Sequence, residues 1–112
     1  MIIEEFIIDY LANKVNTPSY AEFPTGKIPD SFLVVRKIDG GRRDLIEAAT
    51  ISIVCYAETK YKATVLEDVV KAAMYDIDST AEISGVHLGG ESDDMDTKNK
   101  KYCYEAIFNV FY

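Results

Sequence analysis

The sequence is poor in the residues that most often perform catalysis or cross-link a fold. Its 112 residues include no tryptophan, one histidine and two cysteines. No serine or cysteine nucleophile motif accompanies His87, which disfavours histidine-dependent catalysis. Cys55 and Cys103 form neither a C-x-x-C nor a Cys/His spacing, so we expect them to be reduced and structural. The sequence therefore predicts no catalytic residues, no metal site, no cofactor and a protein that is not an enzyme.

Basic residues are also scarce, with 12 Lys and Arg against 19 Asp and Glu and a formal net charge of −7. This balance lacks the electrostatic footprint of a protein that binds nucleic acid through its phosphates. No apolar run approaches the roughly 20 residues of a membrane-spanning helix, and the N-terminal segment lacks the features of a signal peptide. We expect a single domain, residues 1–112, in a soluble compartment without membrane contact.

Two segments have the period of amphipathic helices. The first runs from Ile2 to about Lys14, and its apolar arc is wider than one core-facing side requires. Either this helix is unusually buried within its own domain, or part of the arc faces another subunit. The second begins near Thr59, a suitable N-cap residue, and ends near Asp78.

The remaining segments indicate strands and the connections between them. All three prolines fall in a connector over residues 16–31, where Tyr20 to Phe23 could form a short edge strand. The predicted strands run from Phe32 to Ile38, from about Leu45 to Ala57, from Ala81 to Leu88 and from Lys101 to Tyr112. The order α-β-β-α-β-β predicts an α+β fold, with two amphipathic helices packed on a mainly antiparallel sheet.

Two charged features lie between these strands. Asp39-Gly40-Gly41 is typical of a hairpin turn, which would place Arg42 and Arg43 at an exposed tip. The stretch from Gly89 to Asn99 indicates an acidic loop, which would be a solvated loop, an acidic ring lining an oligomer or a calcium site. Lys98 and Asn99 break the EF-hand spacing. The candidate interface or lumen residues are Arg42, Arg43, Glu91, Asp93, Asp94 and Asp96.

The order and size of these elements resemble the tail-terminator, or tail-to-head joining, proteins of long-tailed bacteriophages. The resemblance spans nearly the whole chain, and no diagnostic motif carries it. Small neck and head-completion proteins of the same phages are similar in length. The segments that carry the resemblance are the opening helix, Lys27-Ile28-Pro29, Phe32 to Ile38, Asp39-Gly40-Gly41, Ile51 to Ala57, the helix from Ala63 to Ile77 and the aromatic terminal strand.

The resemblance implies a structural protein of a phage or prophage virion, at the head-proximal end of the tail, which assembles in the bacterial cytoplasm. Its partners would be itself, as a hexameric ring, together with the tail-tube protein and head connector proteins. DNA would pass through the ring without specific binding. Carboxylates between Glu91 and Asp96 that faced the bore would repel the DNA phosphates. The alternative reading is a small homo-oligomeric ligand-binding or regulatory domain of a bacterial cell.

Overall fold

Two α-helices and five strands make up the residues that the computed structural model describes, 1–43, 46–96 and 101–112, with backbone alone at 43 and 94–96. Helix α1 spans Ile3–Lys14 and helix α2 spans Lys60–Tyr75, followed by a 3₁₀ turn over Ile77–Ser79. The strands are β1 (Ser19–Tyr20), β2 (Phe32–Arg43), β3 (Ile46–Ala57), β4 (Gly85–Asp96) and β5 (Lys101–Phe111).

The five strands form one sheet in the order β1-β2-β3-β5-β4. The short β1 pairs with β2 in parallel, and the three other pairings are antiparallel. The helices contact the sheet from one side, with α1 against β1 and β2 and with α2 against β3, β4 and β5. The predicted α+β class, with helices on a mainly antiparallel sheet, is confirmed.

The core lies between the helices and alternate residues of the central strands, because successive side chains of a strand point to opposite faces. On β3 the buried set is the one that the sequence pattern predicts, with Ala49, Ile51, Ile53, Cys55 and Ala57 at most 3% exposed. On β5 the buried residues are Ala106, Phe108 and Val110. The opposite side of these strands, which we call the open face, is mostly half-buried.

Each helix begins and packs in the way its sequence pattern predicts. The Thr59 side chain accepts a hydrogen bond from the Lys62 N–H at 3.1 Å, and so caps the first turn of α2. The hydroxyl of Tyr10 on α1 donates to the Ala73 carbonyl on α2 at 2.7 Å, which ties the helices together. The flanks of the wide apolar arc, Phe6, Ile8 and Tyr10, pack half-buried against the core, whereas Ile2, which precedes α1, is 67% exposed.

The predicted turn at Asp39-Gly40-Gly41 is wrong, because these residues continue strand β2. Gly41 pairs with Ala48, and Asp39 pairs with Thr50. Ile38 is an extra residue in the ladder, a bulge that lets the strand bend and continue. The connection to β3 therefore falls at residues 44–45, which lie outside the described residues.

The predicted acidic loop is also wrong over most of its length, because β4 extends through it to Asp96. The strand begins at Gly85, not at Ala81, and Gly89 forms a second bulge between Leu88 and Gly90. The backbone pairing with β5 holds this polar segment in the sheet, and two of its carboxylates contact lysines of α2. Residues 97–100 of the predicted loop lie outside the described residues.

The connector forms a shorter edge strand than expected, Ser19–Tyr20. Beyond it, Phe23 covers one end of the open face by packing edge-on against the rings of Phe32 and Tyr56, each at a centroid distance of 5.3 Å. Phe32 and Tyr56 themselves stack at 4.7 Å. This aromatic cluster explains why Phe32 is fully buried although no helix covers it.

Replacing Phe108 by alanine should strongly destabilise the fold, because its ring is fully buried and contacts Tyr75 of α2. We expect the free energy of unfolding, measured by urea denaturation, to fall by about 3–5 kcal/mol. Phe111→Ala, in the same strand but only half-buried, should cost less than half as much. Equal losses for the two variants would contradict the placement of the core.

Candidate assembly interface

The sheet separates the candidate residues instead of bringing them together. Arg42 and Arg43 end strand β2, whereas Glu91, Asp93, Asp94 and Asp96 lie on β4 at the far edge of the sheet. The arginines also lie at the opposite end of the strands from Asp96, which pairs with Lys101 at the start of β5. The backbone therefore places the two groups in strands on opposite sides of the sheet.

The β2 side of the sheet carries positive charge. Strand β1 pairs only with Leu33 and Val34, so β2 has no strand partner on this side from Val35 to Arg43 among the described residues. We call this segment the basic edge. Its exposed residues include the cations Arg36, Lys37 and Arg42, and the half-exposed Ile38. The Lys37 N–H donates to Glu4 Oε2 at 3.0 Å, which fixes the start of α1 beside this edge.

Strand β4 is the opposite edge, and its second half is negatively charged. Among the described residues it pairs with β5 alone, and we call it the acidic edge. Glu91 accepts a hydrogen bond from Lys71 Nζ at 3.0 Å, and Asp93 lies 3.2 Å from Lys60 Nζ. The prediction that these acids line a bore stays a prediction, and two of their charges already face lysines of α2.

Beneath the acidic edge lies a buried carboxyl group that the sequence analysis missed. Glu67 of α2 is 2% exposed, and its Oε1 has no hydrogen-bond partner among the described residues. The nearest cation is Lys71, whose Nζ lies 3.6 Å from that oxygen. Burial, followed by a hydrogen bond with the Glu91 carboxyl, raises the pKa of Glu67 from 4.5 to about 7.

The pKa values of the two partners of Glu67 are shifted as well, each in the direction that favours the charged form. The hydrogen bonds from Glu67 and then Lys71 lower the pKa of Glu91, and the hydrogen bond to Glu91 raises the pKa of Lys71. Of the two carboxyl groups beside the Lys71 ammonium group, Glu67 thus holds a proton more readily than Glu91. This arrangement joins α2 to β4. The sequence does contain a signal for it, because Glu67 falls at the helical spacing of the core residues Ala63, Val70 and Met74.

The open face holds polar cross-strand pairs in place of a second core. Ser52 donates to Glu105 Oε2 at 2.6 Å, and Thr50 donates to Asn109 Oδ1 at 3.1 Å. His87 is exposed, and its ring lies 5.8 Å from that of Phe111. These contacts make the open face half-polar.

The two cysteines lie on different faces of the sheet. Cys55 points to the helices and is fully buried, and burial raises the pKa of its thiol. Cys103 is opposite Tyr56 on the neighbouring strand, and neither cysteine is in a disulfide. A buried thiol with a raised pKa is unreactive, which agrees with a structural role for Cys55.

The outer side of α2 exposes an apolar stripe. Tyr61, Val65 and Val69 recur at four-residue intervals, with 77%, 45% and 44% of their surfaces exposed. Two shallow hollows flank the stripe, one of about 420 Å³ beside Val15 and one of about 550 Å³ beside Lys14. Contiguous exposed apolar surface of this kind is typical of protein contact sites.

Within residues 1–43, 46–96 and 101–112, no three His, Cys, Asp or Glu side chains are grouped so that they could hold a metal ion. No helix in those same ranges is long and apolar enough to cross a membrane.

The chain thus has an α+β fold with a five-stranded sheet, whose basic edge and acidic edge differ in charge. No protein-family model and no curated protein matches the chain. A solved structure titled "Virion of native gene transfer agent (GTA) particle" contains a chain with the same fold, at a TM-score of 0.68. The match covers 90% of this chain and 82% of that chain at 16% sequence identity. This likeness shows a common fold.

Replacing Glu67 by glutamine should make the protein's stability less dependent on pH. Because the folded pKa of about 7 exceeds the ordinary 4.5, the neutral acid contributes stability below pH 4.5 that is lost as the pH rises through 7. Glutamine keeps the shape and does not ionise. From pH 4.5 to 8, we expect the variant to gain about 1–3 kcal/mol relative to the natural protein.

The measurement is urea denaturation of both proteins across that pH range. Asp68→Asn is the matched control, because this exposed carboxylate lies 3.9 Å from the same Lys71 but is not buried. Its stability relative to the natural protein should not vary in this way. A pH-independent difference for Glu67→Gln would contradict the raised pKa.

Proposed function

We propose that this chain is a structural protein of a phage-like virion, and that it forms a ring at the junction between tail and head. The observation that carries the proposal is the fold that it shares, over 90% of its length, with a chain of a gene transfer agent virion. In the proposed role the ring caps the tail tube and binds the head connector. DNA passes through it without specific binding.

The surface of the chain supports an assembly role over an enzymatic one. The acidic edge and the basic edge, which have no outer strand partner among the described residues, and the apolar stripe on α2 are surfaces that other protein can cover. Three of the described groups with shifted pKa values, Glu67, Lys71 and Glu91, lie between α2 and β4, where Lys71 and Glu91 already bind each other. We therefore propose binding to itself and to other virion proteins, and no catalysis.

The purified protein should form a discrete ring in solution. Light scattering across a concentration series at moderate salt should give a mass near six times 12.6 kDa, because six copies are the number expected of a tail terminator. Adding the tail-tube protein of the same virion should yield capped tubes of fixed length. Electron microscopy of those tubes would show the ring at one end.

The informative control is a tube preparation that lacks this protein, in which the tubes should vary in length. A monomer both alone and in the presence of tube protein would contradict the proposed ring. A stable dimer that retains a small molecule would instead support the ligand-binding alternative.

A further inference from the structure

The bulge at Gly89 divides strand β4 into two halves that are held in different ways. In the first half, residues 85–88, the side chains of Val86 and Leu88 pack against the hydrophobic core. The second half, residues 90–96, is paired with β5 and reaches α2 through Lys60 and Lys71. Because a bulge lets a strand bend, and edges with few buried apolar contacts open most readily, the second half can separate from the sheet while the first half stays.

The contact between this second half and α2 contains a hydrogen bond between two carboxyl groups. Glu67 is 2% exposed and is hydrogen-bonded to the Glu91 carboxyl. The Nζ of Lys71 lies 3.6 Å from Glu67 Oε1 and 3.0 Å from Glu91 Oε2. Two ionised carboxylates can only accept hydrogen bonds, so one of the pair must carry a proton. The contact therefore exists in its observed form only while that proton is present.

The buried member of the pair is the one that holds the proton. Burial and the hydrogen bond with Glu91 raise the pKa of Glu67, and they outweigh the opposing charge of Lys71. Two further acids lie near the pair: Asp68, 3.9 Å from Lys71 on α2, and Asp93 on β4, which is bound to Lys60.

The groups that the central strands place against Glu67 carry no positive charge. On β5, burial and then the charges of Glu91, Glu67 and Asp93 raise the pKa of Tyr104. On β3, burial and then the charge of Glu67 raise the pKa of the Cys55 thiol. Both groups are neutral near pH 7, so neither compensates a charge on Glu67.

We propose that Glu67, Lys71 and Glu91 form a proton-controlled latch, which holds the second half of β4 against α2. With the proton present, Glu67 donates to Glu91 while Lys71 binds the same carboxylate. When the proton leaves, the two carboxylates repel each other. Glu67 is fixed in the core, so Glu91 moves outward and the second half of β4 separates from α2. The position of the acidic edge, one of the surfaces proposed for assembly, therefore depends on pH.

The direction of the effect follows from the two states of Glu67. The closed latch raises its pKa from 4.5 to about 7, whereas opening exposes the group to water and restores the ordinary value. The latch is thus complete below pH 4.5, weakens as the pH rises to 7, and changes little above that. Between these limits the opening equilibrium increases by up to about tenfold per pH unit. Glu91 stays ionised in this range, because the contact lowers its pKa.

The test is hydrogen–deuterium exchange at pH 5.5 and pH 8, read by mass spectrometry of peptides from either side of Gly89. Exchange rates are divided by those of an unfolded chain at the same pH, which gives the protection of each half. From pH 5.5 to 8, the second half should lose protection by about tenfold or more. The first half, which pairs with the same strand β5, should keep its protection.

Three variants identify the groups responsible. Glu67→Gln should abolish the pH-dependent loss, because its amide still donates to Glu91 and does not ionise. Glu91→Gln should also reduce it strongly, because it removes one of the two repelling charges, and this exposed residue can be replaced without disturbing the core. Asp68→Asn is the matched control beside the same Lys71, and it should behave like the natural protein. Thermal melting followed by circular dichroism checks that each variant is folded.

The outcomes separate the latch from a general effect of pH and from the proposed ring. Equal loss of protection in both halves would indicate global destabilisation and would overturn the latch. A loss in Glu67→Gln or Glu91→Gln as large as that of the natural protein would overturn it as well. Because the latch lies within one subunit, it is judged by the difference between the two halves, whereas the ring is judged by mass.

Discussion

The antiparallel pairing of β3 with β5 is the constraint on which the rest of the structure depends. It runs without a bulge from Ala48 opposite Phe111 to Ala57 opposite Tyr102. Because side chains alternate between faces, a slip of one residue would turn Ile51, Ile53 and Phe108 away from the helices. The two central strands therefore decide which face receives α1 and α2, and which face stays half-polar.

The irregular features of the sheet lie outside this central pair. Both bulges, at Ile38 and Gly89, occur in the flanking strands β2 and β4. Bulges and charges are common on edge strands, where they prevent indiscriminate pairing. Here both flanking strands combine a bulge with exposed charge, which includes Arg36, Lys37 and Arg42 on β2 and Glu91 and Asp93 on β4.

Helix α2 connects the core to the acidic edge. Its inner side packs on β3 and β5, while Lys60 and Lys71 reach the carboxylates of β4. Buried Glu67 lies on α2 beneath the acidic edge. A buried acid without full hydrogen bonding costs free energy. Its contact with Lys71, which also binds Glu91, ties the position of α2 to that of β4.

The local pattern of the sequence determined the elements of this protein. Alternation from Ala49 to Ala57 marked the buried face of β3, and Thr59 marked the start of α2, because these signals depend on residues close in the chain. Tertiary structure alone decided that Asp39-Gly40-Gly41 and Glu91 to Asp96 lie within strands. It also separated Arg42 from the acids and buried Glu67. Glycines and carboxylates favour turns locally, and the hydrogen bonds that they form to the neighbouring strands β3 and β5, which the pattern within one segment does not show, override that preference.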